Sequence, residues 1–419
     1  MDFDVIKKGQ DSNDTLLVFG GIQGDEPGGF LSASILATHY KIKKGSLWIV
    51  PNLNFYSIIK RSRGPYGDMN RKFKSLSKKD PEYPLIQKVK TLITDKNVTL
   101  IVNLHDGSGY FRPKTIDKKH SPYTWGQCSV IDQSELNTSK YGHLGKIAKS
   151  VVDHINAHLL KEEDKYHIHN THTAKGDKEM EKTLSYFAVL NNKAALANEA
   201  SKELPTYQRV YYHLLALEKY MQIMNIEYSR DFKLTPAGVK YVINNGIFIS
   251  LYNNKITLPL TNLRNDLYYF PITKDKKIKF QATNPLVTIL QKKGKYLIQY
   301  GNRKLTFLHP EYINYDDSND SVKIAIDGNV SQYPFGSIID VKDNFLVKDS
   351  KKYRVNVIGF VTKNKKETDI KIKKSNIIKR FSIDKKGTTF RIEFYNKKKF
   401  SGMILVRFLN QKTPKPKSK

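Results

Sequence analysis

The chain has 419 residues, 39% hydrophobic and 11% aromatic, with a formal charge of +31 and one cysteine, Cys128. That length suits two or three domains with real cores, and a single cysteine excludes an intramolecular disulfide and a cysteine-rich metal site. No segment approaches the ~18 consecutive apolar residues of a membrane span, and the positive charge, which would attract polyanions, is spread as short lysine pairs without a basic helix, zinc finger or aromatic RNA-binding motif, which argues against nucleic acid.

Residues 15–19 and 99–104 are short apolar runs of buried-strand type. The first leads into Gly-Gly-Ile-Gln-Gly-Asp-Glu-Pro-Gly-Gly, which carries Gln23 and Glu26. The second leads into His105 and Asp-Gly. In an open α/β sheet, chemistry collects beyond the carboxyl ends of the strands. Gln23 and Glu26 are three apart and share a face on a helical turn. An oxygen from each, with an imidazole nitrogen from His105, makes a three-ligand metal site with one open position, as a catalytic zinc requires.

A further strand is expected at 47–50, and a small-residue strand at 194–197 ends at Asn198-Glu199. Helical spacing marks 30–40, 83–94, 141–160 and 207–226. Strands alternating with helices predict a doubly wound α/β domain with a mixed sheet over residues 1–230. Beyond 230 the segments are short, β-branched and aromatic: 241–243, 247–251, 278–280, 286–291 and 296–300. Asn244-Asn245-Gly246 and Asn253-Asn254 read as hairpin turns, and no long helix is expected. These features predict a small all-β, barrel-like domain over 231–316. A polar stretch at 316–320 reads as a linker. Runs at 322–326, 337–341, 353–361, 369–372, 388–395 and 403–409 then predict an immunoglobulin-like β-sandwich over 317–419. Its basic tail from 411 reads as disordered. The N-terminus has no apolar stretch of signal-peptide type, which fits a cytoplasmic protein or a mature exported one.

Four pieces of the first domain, in order, resemble the zinc metallocarboxypeptidases related to carboxypeptidase A. Gln23-Gly24-Asp25-Glu26 resembles that family's His-x-x-Glu pair. Pro51-Asn52-Leu53-Asn54, with Arg61, Arg63 and Gly67-Asp68-Met69-Asn70-Arg71, resembles its Pro-x-x-Asn, basic and Asp-Leu-Asn-Arg segments. His105 follows, then Glu199, where the family keeps a catalytic glutamate. The departure is Gln23 in place of histidine, a poorer zinc ligand. Gln-x-x-Glu with a distant histidine, together with two trailing β domains, is similar to a subgroup: the periplasmic cell-shape-determining D,L-carboxypeptidases of helical Gram-negative bacteria.

That resemblance implies a zinc enzyme that trims the peptidoglycan muramyl tripeptide, releasing meso-diaminopimelate from the γ-D-glutamyl residue. It implies a periplasmic location and a signal peptide already removed from this chain. Zinc would be held by Gln23, Glu26 and His105, with Glu199 as general base and acid and Arg63 facing the oxyanion. Arg71, with Asn70, suits the bidentate recognition of a terminal carboxylate. Arg61 is a further candidate for substrate carboxylates. His172, in Thr-His-Thr-Ala-Lys-Gly, stands near the place of a substrate-capping tyrosine, and a solvated loop histidine is equally consistent with it. Trp125 suits either the pocket wall or the core. The β domains would dock cell-wall protein partners or glycan.

Each residue also has a plainer reading. Gln23 and Glu26 would serve as helix caps, His105 as a core histidine, and Arg71 as a partner of Asp68. Glu199 at the end of an apolar strand is harder to explain without a partner or a metal. His167, His169 and His172 form a rival cluster, read as a polar loop without a strand framework. A non-catalytic wall-binding or scaffold protein on the same fold is the alternative function.

Overall fold

The structure, a computed structural model, describes residues 2–317, 321–362 and 366–409. It divides into two compact units, Met1–Asn244 with Gly301–Arg303, and Asn245–Tyr300 with Lys304–Lys419.

The first unit is built on a seven-stranded sheet. Its strands are β1 (Ile6–Gly9), β2 (Thr15–Gly20), β3 (Ser46–Val50), β4 (Val98–Gly107), β5 (Cys128–Ile131), β6 (His167–Asn170) and β7 (Ala194–Ser201). In space they run β1–β3–β2–β4–β7–β5–β6. The inner neighbours β3, β2, β4 and β7 are parallel, whereas β1 on β3 and β5 on β7 are antiparallel. Every residue of β2 and β3 is buried, which is why both read as unbroken apolar runs rather than alternating ones. Helices α1 (Pro27–His39), α2 (Phe55–Lys60), α3 (Tyr83–Ile93), α4 (Leu144–Asn156), α5 (Leu184–Leu190), α6 (Thr206–Ile223) and α7 (Pro236–Asn244) complete the unit. α1 and α4 pack on α6, while α3 and α5 pack against β4. Pro27 opens α1 at a position where a missing N–H costs nothing.

Two differences from the sequence reading matter. β4 and β7 run on past the apolar stretches, through His105 to Gly107 and through Glu199 to Ser201. The ladder continues because backbone pairing is indifferent to the polarity of the side chains. Its register sets Glu199 directly beside His105. The second difference is α7, where a strand at 241–243 and a turn at 244–246 are expected. Val239, Val242 and Ile243 are buried together, a helical i, i+3, i+4 face that a short β-branched run disguises. α7 packs on α6, so the first unit extends beyond residue 230.

The second unit is all-β. Its first part has a three-stranded and a four-stranded sheet; its last part has two four-stranded sheets. The latter enclose a core that includes Ile324, Phe345, Val357, Ile392 and Ile404. Four strands are needed below: β8 (Asp266–Thr273), β9 (Arg303–Ile313), β10 (Arg354–Val357) and β11 (Thr389–Asn396). The expected linker at 316–320 lies partly, and the tail from 411 wholly, outside the described residues. No helix among the described residues is long and apolar enough to cross a membrane.

Candidate active site

The carboxyl end of the first unit's sheet opens into a cavity of about 180 Å³. Gln23 and Glu26 reach it from the β2–α1 turn, His105 from β4, and Glu199 from β7. The close packing of that turn demands glycine. A Cβ on Gly24 would lie 2.1 Å from the backbone of Ser57, and one on Gly28 would lie 2.1 Å from Asp106 Oδ1.

His105 Nδ1 is 3.0 Å from both Gln23 Oε1 and Glu26 Oε2. All three side chains are buried. The Gln23 amide nitrogen donates to Asp68 Oδ1 at 2.8 Å, so its oxygen faces the imidazole. Arg63 spans the rim, with Nε donating to Asp68 at 2.9 Å and Nη1 to Glu26 at 3.3 Å. Lys202 Nζ stands 3.2 Å from Asp25 and 3.5 Å from Glu26.

The donor chemistry fits a divalent metal. One imidazole nitrogen, one amide oxygen and one carboxylate oxygen converge, a set suited to zinc and its neighbours. Among the described residues no group of three His, Cys, Asp or Glu is placed to hold a metal; here one of the three donors is an amide. The surroundings of His105 also fit. Asn103 Nδ2 lies 2.7 Å from His105 Nε2, and Asn103 Oδ1 is buried without a partner among the described residues. Turning that amide by 180° places Oδ1 against Nε2–H and leaves Nδ1 with its lone pair free, the tautomer a metal ligand needs. Asn103 sits two residues before His105 on the same strand face.

Electrostatics follow from depth. Burial alone would lower the His105 pKa, but the Glu26 and Glu199 carboxylates outweigh it and raise the value. Glu199 is pushed up to about 8, first by burial and then, against the attraction of His105, by the charges of Glu26 and Asp106. Asp68 is held below its ordinary value: burial opposes this, but Arg63 and the Gln23 amide prevail.

Asp106 is the main functional-region residue absent from the sequence reading. It is fully enclosed, accepting from Gly28 N at 2.8 Å and Arg209 Nη1 at 2.9 Å, with His213 Nε2 at 3.3 Å. It ties the start of α1 to β4 and so fixes the turn that carries Glu26, whose Oε2 also accepts from Asp106 N at 3.1 Å. The adjacent His105 is the only local signal for it. Gly28→Ala is therefore expected to destabilise the first unit by about 1–3 kcal/mol through overpacking. Both tryptophans, Trp48 and Trp125, lie in that unit, so urea unfolding followed by tryptophan fluorescence reports it.

The other candidates separate. Asn70, Arg71 and Trp125 line the same cavity. Asn70 Oδ1 accepts from Leu184 N at 3.0 Å, and Arg71 Nη1 donates to Asn70 O at 3.0 Å. Trp125 lies against His169, with ring centroids 4.6 Å apart. Arg61 does not line the cavity; it caps α2 in a left-handed conformation, and its Nε donates to the Asn302 carbonyl. His172 does not line it either and is exposed on its loop. The histidine cluster is not a loop throughout. His167 and His169 belong to edge strand β6, and burial against Phe111 and Trp125 pushes His169 down to about 4.

Residues 4–244 match the family described as carboxypeptidase controlling helical cell shape, catalytic. The chain belongs to this family. Residues 249–314 match its β-barrel domain and 315–409 its C-terminal domain. Among solved structures, the apo cell shape determinant protein Csd4 from Helicobacter pylori is 41% identical, with a TM-score of 0.88, over 97% of this chain and 100% of that one. The tripeptide-bound form of Csd4 matches with the same values. The mDAP-bound form, described as a D,L-carboxypeptidase, matches at 41% identity and TM-score 0.88 over 96% of this chain and 100% of that one. No curated protein matches the chain. The chain is thus a member of a metallocarboxypeptidase family, with a catalytic α/β domain, a barrel domain and a C-terminal β domain.

Proposed function

We propose that this protein is a zinc-dependent D,L-carboxypeptidase of the periplasm that releases meso-diaminopimelate from the muramyl tripeptide stem of peptidoglycan. The observation that carries the reading is the meeting of Gln23, Glu26, His105 and Glu199 in one cavity, in a member of a family whose Csd4 relative is known with tripeptide and with mDAP bound.

Gln23, Glu26 and His105 would hold the metal, which supplies Lewis acidity toward water and the scissile carbonyl. Glu199 takes the proton of the attacking water and delivers it to the departing amine. Arg63, already poised between Asp68 and Glu26, offers its guanidinium to the oxyanion. Arg71 takes the terminal carboxylate as a planar fork, and Asn70, whose oxygen is engaged by Leu184, adds its amide hydrogens. Trp125 forms part of the wall.

Purified muramyl tripeptide incubated with the zinc-loaded chain should yield free diaminopimelate by mass spectrometry, and a chelator should abolish the release. Absence of release from protein that demonstrably holds metal would overturn the reading in favour of a non-catalytic wall-binding role. Arg71→Gln should lower kcat/KM for the tripeptide about 10–100-fold, mainly through KM, as expected for the loss of a charge-assisted hydrogen bond to substrate.

A further inference from the structure

The all-β unit contains a larger cavity than the candidate active site, about 880 Å³. It lies where β8 and β9 of the barrel part meet β10 and β11 of the sandwich part. Its floor holds Arg391 and Glu393, alternate residues of β11 and therefore on one face of the strand. They are only 5% and 2% exposed. Their side chains pair at 3.4 Å (Nη1 to Oε1), yet among the described residues Arg391 Nε and Glu393 Oε1 have no hydrogen-bond partner. Buried polar atoms are nearly always satisfied, so an unpartnered donor and acceptor side by side call for a ligand or an equivalent.

The mouth is equally unusual. β8 shifts register against β9 between Leu267 and Phe270. The bulge displays two consecutive tyrosines, Tyr268 and Tyr269, 56% and 72% exposed. Tyr269 has φ +50°, a conformation costly for an aromatic residue and one that collects at functional sites. Bulges re-aim side chains beside sites. Arg391 Nη2 donates to the Tyr268 carbonyl at 3.1 Å, so the floor and the bulge are tied together. Arg354, over the Tyr395 ring at 4.4 Å, and Arg380 add positive charge to the lining.

Flat aromatic faces, a cationic lining, and one buried donor beside one buried acceptor describe a ligand with an apolar ring face, a carboxylate and hydroxyl or amide hydrogens. We infer that this cavity binds an anionic amino-sugar glycan, the stem-free disaccharide repeat of peptidoglycan, whose muramic carboxylate is free because no stem peptide is attached to it. The choice of that polymer rests on the function proposed above. The β unit would then hold stem-free repeats of the glycan strand while the first unit acts on stem peptides carried by other repeats.

The test uses the full, metal-loaded chain and the peptide-free disaccharide of N-acetylglucosamine and N-acetylmuramic acid, titrated calorimetrically. One disaccharide should bind per chain. Tyr269→Ala and Arg354→Gln, both at exposed positions, should each weaken it at least 10-fold, as should amidation of the muramic carboxylate on the wild type. Hydrolysis of soluble tripeptide should be unchanged in both variants. No binding to the wild type, or equal binding to the wild type and both variants, would overturn the inference. So would binding of inorganic phosphate or free tripeptide that is lost in these two variants while the disaccharide fails to bind. If tripeptide is not hydrolysed but disaccharide binding still depends on Tyr269 and Arg354, the proposed function fails and this inference stands.

Discussion

Glu199→Gln is expected to lower turnover of muramyl tripeptide by about 10²–10⁴-fold, the usual contribution of a positioned acid–base group, while the chain still binds one metal ion. The amide keeps the shape of the side chain but can neither accept the proton from water nor return it to the amine. The strand register places Glu199 beside His105, so the residue stands next to the position proposed for the metal without being one of the three donors that meet at His105 Nδ1. His105→Ala should behave differently, losing metal and activity together. Metal content by elemental analysis, measured beside diaminopimelate release, separates the two cases. Loss of metal in Glu199→Gln, or activity within a few-fold of wild type, would remove Glu199 from the role assigned to it.

Asp106→Ala should produce the largest loss of stability, about 3–5 kcal/mol, because it strips a buried charge network of its acceptor. Arg209 and the Gly28 N–H would lose their shared carboxylate, and the start of α1 would come loose from β4. The pH dependence has a defined sign. Burial alone would raise the Asp106 pKa, but His213, Arg209 and the Gly28 N–H lower it in the folded state. A carboxylate depressed in this way contributes its stability fully above the unfolded value of about 3.9. It loses that contribution as pH falls from there through the folded value. The gap between wild type and variant, read by tryptophan fluorescence in urea, should therefore be widest near pH 7 and narrow below about pH 4. A gap independent of pH would assign the loss to packing alone.

How much of this could be read in the sequence depended on the distance over which each feature is encoded. The β2–α1 turn, with Gln23 and Glu26 inside ten residues of glycine-rich chain, is a local signal. So are the apolar strands that lead to His105 and Glu199. The four side chains do share one cavity. Asn103 and Asp106 were less legible, although both adjoin His105. Their meaning lies in partners that only the fold supplies: Arg209, 103 residues away from Asp106, and the Gly28 N–H, 78 residues away. Arg61 illustrates the converse. It belongs to the same short stretch as Arg63 and Arg71, but a left-handed cap at the end of α2 turns it elsewhere. The helix at Pro236–Asn244 was missed because three of its residues, Tyr241 to Ile243, have strand-like composition, and only its buried face reveals the period.

The hydrogen bond from Gln23 to Asp68 has a consequence for the polarity of the site. A primary amide has two ends of nearly equal size and opposite chemistry, one that gives hydrogens and one that gives electron pairs. Nothing in its shape chooses between them. Asp68, kept ionised by Arg63, can only accept, so the nitrogen must turn toward it and the oxygen toward His105. A half-buried carboxylate at the rim thus writes the sign of the first donor in the cavity. Replacing Asp68 by asparagine would erase that instruction, leaving Gln23 free to present its hydrogens where a cation needs a lone pair.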